Sequence, residues 1–116
     1  MMTVTIYHNP RCSKSRQTMA LLEEKGIEPE VVLYLENPPS SAALKGLVKK
    51  LGLKSARDMM RVKEAPYMEL DLANATAETA LIDAMAENPV LIERPIVVNG
   101  DKAAIGRPPE NVLDIL

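Results

Sequence analysis

The chain has 116 residues, the usual size of one domain, and we predict a single domain over residues 1–116. A formal net charge of −2 gives no indication of a nucleic-acid or membrane-surface partner. One cysteine and one histidine exclude an internal disulfide and argue against a zinc site, so we expect no metal. A free thiol, without a long apolar run or a signal-peptide pattern, predicts a soluble cytoplasmic protein.

The N-terminal part of the chain predicts a β-α-β unit. Thr3–Tyr7 alternates apolar and polar residues, as a strand does. Residues 15–25 have a helical pattern that Gly26 can end. Glu30–Leu35 is a short, nearly continuous apolar run, which predicts a strand buried on both faces. Two strands joined by a helix are expected to run parallel.

Residues 40–88 predict a helical insertion between the second and third strands, with no Gly/Ser-rich linker on either side. Ser40 or Ser41 can cap a helix whose apolar side chains recur at i, i+3, i+4 and i+7. Shorter helical segments follow it. Residues 76–87 predict a further helix, which Asn88-Pro89 ends.

The C-terminal part predicts two antiparallel strands and a closing helix. Ile96–Val98 is the third strand, Asn99-Gly100 favours a type I′ turn, and Lys102–Ile105 returns as the fourth strand. Pro109 suits the first position of the final helix. We expect the inner face of that helix to carry Val112, Leu113 and Leu116.

This order of elements predicts an α/β fold, a four-stranded mixed sheet flanked by helices. It is the thioredoxin-like architecture with a helical insertion. That architecture has a cis-proline beside its active site, just before the third strand, and Arg94-Pro95 occupies this position. Most X–Pro bonds are trans, so only the analogy favours a cis bond here.

Cys12 lies where the first strand meets the first helix. Backbone N–H groups and the helix dipole at such a position lower a cysteine pKa and favour the thiolate. His8, if protonated and close, would add to this effect, as would the basic residues around Cys12. Ser15 stands where a redox dithiol has its second cysteine, so reducing equivalents must come from an external thiol. We interpret Cys12 as a candidate nucleophile; the alternative is a small buried hydrophobic side chain.

Four segments distributed over the whole chain form a characteristic set. They are Tyr7-His8-Asn9-Pro10-x-Cys12-x-x-Ser15-Arg16, Leu33-Tyr34-Leu35-Glu36-Asn37-Pro38-Pro39, Leu91-Ile92-x-Arg94-Pro95-Ile96-Val97-Val98, and Gly106-Arg107-Pro108 followed by Val112-Leu113-Asp114-Ile115-Leu116. In this order and spacing they resemble the glutaredoxin-coupled arsenate reductase family. The single cysteine has the position of that family's nucleophile.

The resemblance implies that the Cys12 thiolate attacks arsenate and forms a covalent thiol–arsenate adduct. Glutathione as co-substrate and glutaredoxin as partner then reduce the arsenic to arsenite, and no cofactor stays bound. His8 matches the histidine that lowers the cysteine pKa in this family, and Ser15 matches a residue that hydrogen-bonds the thiolate.

The resemblance also implies an oxyanion clamp of three arginines, which by position are Arg61, Arg94 and Arg107. Arginine suits this role because its planar fork binds oxyanions bidentately. Arg61 matches less closely, since Arg57 lies only four residues away.

Two other functions remain open. One is a related thiol oxidoreductase with another substrate, since the residues do not fix the oxyanion. The other is an RNA-polymerase-binding redox regulator of the same superfamily, whose typical members carry a Cys-x-x-Cys switch that Ser15 removes here. We expect a monomer without a nucleic-acid or membrane partner.

Overall fold

A computed structural model describes residues 3–116 of the chain. The chain forms two compact units. The sheet unit consists of the residues up to Asn37 together with Arg94–Leu116, and the helical unit is Pro38–Glu93. The single domain over residues 1–116 stays a prediction.

The sheet unit contains a four-stranded mixed sheet and one α-helix. Its elements are β1 (Val4–Tyr7), α1 (Ser13–Glu24), β2 (Glu30–Val32), β3 (Ile96–Asn99) and β4 (Lys102–Ile105). The strand order is β2-β1-β3-β4. β1 is parallel to β2 and antiparallel to β3, and β3 is antiparallel to β4. The predicted fold class and β-α-β unit are confirmed.

The strand register gathers three distant chain segments at one end of the sheet. Tyr7, the last residue of β1, pairs with Ile96, the first residue of β3. Ile96 in turn pairs with Ile105, the last residue of β4. The chain after Tyr7, the chain before Ile96 and the chain after Ile105 therefore leave the sheet at the same end.

The core of the sheet unit forms from alternate residues of the strands and from the segments that cover them. Its buried members are Val4, Ile6, Leu22, Val97 and Val112. Partly buried Met19, Leu21, Ile27, Ala104 and Ile115 pack around this cluster. Burial of these aliphatic groups stabilises the unit without any Phe or Trp, which the sequence lacks.

β2 differs from its prediction in length and in burial. Val31 on β2 is 43% exposed and Leu35 is 44% exposed, so the expectation of burial on both faces is wrong. An apolar run is typical of a central strand, but β2 lies at the edge of the sheet. The chain then turns, and Leu33 O accepts hydrogen bonds from Glu36 N (3.0 Å) and Asn37 N (2.9 Å).

The β3–β4 hairpin turns one residue later than predicted. Asn99 pairs with Lys102, so the two loop residues are Gly100 and Asp101. Gly100 has φ +65°, whereas φ of Asp101 is not positive. This combination is typical of a type II′ turn, with glycine first, rather than type I′.

The closing helix is a 3₁₀ helix, Pro109–Ile115, and its inner face differs from the prediction. A 3₁₀ helix has three residues per turn, so Pro109, Val112 and Ile115 share one side. Val112 is fully buried, while Leu113 and Leu116 are 38% and 42% exposed. The prediction assumed an α-helical period and was wrong for the two leucines.

The helical unit confirms the predicted insertion. It contains α2 (Ser41–Lys50), α3 (Ala65–Glu69) and α4 (Glu78–Glu87), with 3₁₀ helices at Ala56–Met59, Leu72–Asn74 and Pro89–Leu91. Ser40 caps α2, since its hydroxyl accepts a hydrogen bond from Ala43 N at 3.1 Å. Helices α2 and α4 pack together. Among residues 3–116, no helix has the length and apolar character that crossing a membrane requires.

Leu22→Ala is expected to lower the free energy of unfolding by about 2–5 kcal/mol, because it leaves a cavity in the core of the sheet unit. Leu113→Ala, at an exposed leucine, is the matched control and should cost less than about 1 kcal/mol. Urea denaturation followed by circular dichroism measures both values. Equal losses in the two variants would contradict the described core.

Candidate active site

Cys12 is the N-cap residue of α1, in extended backbone conformation, and is partly exposed. The loop that leads to it is closed by Asn9, whose carbonyl accepts a hydrogen bond from Cys12 N at 3.0 Å. Asn9 Oδ1 also accepts from Arg11 N at 3.0 Å. This arrangement holds the sulfur over the first turn of α1, where backbone N–H groups have no partner within the helix.

The environment of the sulfur favours its anionic form. Burial raises the pKa of Cys12, but backbone N–H groups of Ser15 and Lys14 and the charge and hydrogen bond of Arg94 lower it more. The net result is a pKa below the ordinary thiol value of 9.0. A larger share of Cys12 is therefore thiolate at neutral pH, and the thiolate is the nucleophilic form.

Two of the three predicted arginines lie at the sulfur. Arg94 hydrogen-bonds it, and Arg107 Nη1 lies 3.9 Å from Sγ. Arg107 Nη1 also donates to the carbonyl of Arg94 at 3.2 Å. Arg94 precedes β3 and Arg107 follows β4, which explains why the register brings both beside the loop after β1. The sequence left the isomer of the Arg94–Pro95 bond open; the bond is cis, as in the analogous architecture, and the Arg107–Pro108 bond is also cis.

His8 is buried, and its surroundings favour an uncharged ring. Burial, and next the charge of Arg16, lower the pKa of His8 below 6.5. A neutral imidazole adds no positive charge beside the thiolate at pH 7, unlike the protonated ring considered from the sequence. His8 Nδ1 instead forms a 2.6 Å hydrogen bond with Ser15 Oγ.

Ser15 contacts the sulfur through its backbone N–H. Its fully buried hydroxyl bonds His8 and accepts a hydrogen bond from Asn9 N at 3.0 Å. The side chains of Ser15 and His8 therefore connect α1 to the loop that carries Cys12. Their catalytic roles stay predictions, and this geometry favours a positioning role for both side chains.

Arg61 lies in the helical unit, where its guanidinium forms an ion pair with Glu64 at 2.8 Å. Its place in an oxyanion clamp stays a prediction. The neighbouring Arg57 is fully engaged in its own unit: it donates to Tyr67 Oη, to Leu72 O at 2.8 Å and to Ala75 O at 2.7 Å. These contacts make Arg57 a structural residue of the helical unit.

Gly106 stands in the last of the four characteristic segments, but no role of its own follows from the sequence. A Cβ at this position would lie 2.5 Å from Thr18 Oγ1 and 2.9 Å from Pro95 Cγ. Gly106 N also donates to Pro95 O at 2.9 Å. The missing side chain allows the segment that carries Arg107 to pack closely on α1.

The site combines a low-pKa thiol, two guanidinium groups and the backbone N–H groups of Lys14 and Ser15 that face the sulfur. This set of donors suits a small tetrahedral oxyanion placed against the sulfur. In the part of the chain that the structure describes, no group of three or more His, Cys, Asp or Glu residues could hold a metal ion.

A family model described as the ArsC family matches residues 7–115. This chain belongs to the ArsC family. Among its relatives, arsenate reductase from Haemophilus influenzae is 56% identical, and the alignment covers 99% of this chain and 100% of that protein. Protein YfgD from Escherichia coli K12 is 62% identical over 97% of this chain and 96% of its own length.

The solved structures of the family agree with the described fold. The structure of arsenate reductase from Vibrio cholerae superposes with a TM-score of 0.96 at 58% sequence identity. The alignment covers 99% of this chain and 98% of that one. The ArsC fold described here is therefore shared over nearly its full length.

Arg94→Ala is expected to raise the pKa of Cys12, because it removes a charge and a hydrogen bond that favour the thiolate. The midpoint of the profile of iodoacetamide alkylation rate against pH should therefore lie at a higher pH than in the wild type. Lys25→Ala, an exposed cation at the far end of α1, serves as the control. Superimposable profiles for Arg94→Ala and the wild type would rule out this electrostatic role.

Gly106→Ala is expected to cost about 1–3 kcal/mol of unfolding free energy, the scale of overpacking, because Thr18 and Pro95 leave no space for a Cβ. Gly46→Ala on α2 is the matched control, since nothing lies within 4 Å of its Cβ and alanine favours a helix. Sulfate should also protect Cys12 from alkylation less in Gly106→Ala, with partial recovery in the double variant with Thr18→Ala. Unchanged stability and protection would refute the close packing.

Proposed function

We propose that this chain is an arsenate reductase in which Cys12 is the nucleophile. The observation that carries the proposal is the position of Arg94 and Arg107 at the partly exposed Cys12 sulfur. A thiolate that only served structure would not need two guanidinium groups from distant segments. The ArsC relatives named arsenate reductase, at 45–56% identity, support arsenate as the oxyanion.

In the first step the thiolate of Cys12 attacks the arsenic of arsenate. An S–As bond forms, an As–O bond breaks, and the oxygen leaves as water after it takes up protons. Arg94 and Arg107 neutralise the remaining arsenate oxygens, and charged donors fixed before the reaction are worth most in the transition state.

The reduction needs two external thiols, because the chain has one cysteine and cannot form an internal disulfide. Glutathione forms a second As–S bond, and another oxygen leaves as water. A glutaredoxin thiolate then attacks the glutathione sulfur, which produces a mixed disulfide and leaves the electron pair on arsenic. Arsenic is thereby reduced from As(V) to As(III), and hydrolysis releases arsenite and the Cys12 thiol.

The same chemistry favours a reducing compartment, so we infer a cytoplasmic location with glutathione as co-substrate rather than a bound cofactor. The regulator hypothesis has less support, because Ser15 replaces the second cysteine of its switch.

Oxidation of NADPH, coupled through glutathione reductase, glutaredoxin and glutathione, tests the proposal. We expect wild-type turnover to depend on arsenate and on both thiol components. Cys12→Ser should abolish it, and Arg107→Ala should lower kcat/KM by more than about tenfold, the scale of a lost transition-state donor. Lys25→Ala is the control.

Two results would contradict the proposal in different ways. Turnover by Cys12→Ser would remove Cys12 as the nucleophile. Wild-type protein that is alkylated readily at Cys12 but shows no arsenate-dependent turnover would favour a thiol oxidoreductase with another substrate.

A further inference from the structure

A cleft of about 310 Å³ in the sheet unit has no role in the mechanism described above. It lies between the loop after β1 and the turn after β2. Its walls are formed by His8, Asn9, Pro10, Arg11, Leu33, Leu35 and Glu36. The volume is at the lower end of the range for small-molecule sites, which suits a ligand of about the size of a tripeptide.

The lining combines an apolar surface with one cation and one anion. Leu33 and Leu35 supply the apolar part, and Leu35 is 44% exposed. The side chains of Arg11 and Glu36 are exposed, and within residues 3–116 neither takes part in an ion pair. Both charges are therefore available to a ligand that carries opposite charges at two ends.

We propose that this cleft binds glutathione and presents its thiol to the arsenic on Cys12; this inference rests on the proposed function. Glutathione has two carboxylates and one ammonium group at pH 7. Arg11 would bind a carboxylate, and Glu36 would bind the γ-glutamyl ammonium, an arrangement in which each charge meets its opposite. The methylene groups of the tripeptide would cover the exposed leucine.

The position of Arg11 makes the transfer geometrically reasonable. Arg11 directly precedes Cys12, so their Cα atoms are about 3.8 Å apart. An extended tripeptide reaches about 10 Å, which is enough for a ligand anchored at Arg11 to carry its central thiol to an arsenic bound on the sulfur. Arsenate itself suits this cleft less, because Glu36 would repel a small anion and the apolar walls offer it no donor.

Binding of S-methylglutathione tests the cleft without any reaction, because its sulfur is blocked. In NMR titrations we expect amide shifts centred on Leu33, Leu35 and Arg11. Arg11→Ala and Glu36→Gln should each raise Kd by about threefold to fivefold, the scale of an exposed ion pair. Lys25→Ala and Glu28→Gln, an exposed cation and anion outside the cleft, are the controls.

The ammonium assignment has its own test. N-acetyl-S-methylglutathione lacks the γ-glutamyl charge, so it should bind the wild type more weakly than S-methylglutathione. Its affinity for Glu36→Gln should equal its affinity for the wild type. Without the ammonium group, the ligand cannot form the ion pair with Glu36 that the substitution removes. Amide shifts elsewhere in the sheet unit, or equal Kd values for all variants with S-methylglutathione, would overturn the proposal.

Kinetics separate this proposal from the proposed function. In the coupled assay Arg11→Ala should raise KM for glutathione, while KM for arsenate and the single-turnover formation of the Cys12 adduct stay as in the wild type. If the wild type does not reduce arsenate, the proposed function fails, but the S-methylglutathione titration still reports on the cleft. If arsenate is reduced and KM for glutathione is the same in Arg11→Ala, the cleft proposal alone fails.

Discussion

The candidate site depends on the interaction between one sulfur and the positive groups that surround it. Burial alone would keep the Cys12 thiol protonated, since a buried anion is costly. Backbone N–H groups at the start of α1 and the guanidinium of Arg94 offset that cost and lower the pKa instead. The same donors suit the oxygens of an oxyanion, so under the proposed function one set of contacts would both favour the thiolate and receive the substrate.

Sheet register determines which residues can contribute to this interaction. One row across three strands is formed by Tyr7, Ile96 and Ile105. The loop that carries Cys12 follows Tyr7 in the chain. Arg94 comes shortly before Ile96, and Arg107 comes shortly after Ile105. Close packing refines the arrangement, because Gly106 leaves no gap between its segment and Thr18. The site is thus a consequence of strand pairing, and its side chains are fixed by contacts between segments distant in sequence.

The sequence was sufficient for features that depend on local patterns and insufficient for those that depend on tertiary contacts. The alternation of apolar and polar residues and the helix-capping residues predicted the mixed sheet and the helical insertion. The same local patterns placed Cys12 between the first strand and the first helix. The charge state of His8 depends on burial, which a sequence does not reveal. Leu113 was assigned inward because apolar periodicity does not distinguish a 3₁₀ helix from an α-helix. Gly106 is explained only by Thr18, a neighbour in space.

Assembly of the anion site from three separate segments links ligand binding to folding. The unfolded chain keeps Cys12, Arg94 and Arg107 far apart, so it has no comparable affinity for an oxyanion. A ligand that binds only the native state stabilises it by mass action, by about 2.7 kcal/mol at a concentration of 100 times Kd. Under the proposed function, a saturating oxyanion would therefore protect this protein against heat, and the melting temperature would measure site occupancy without any turnover.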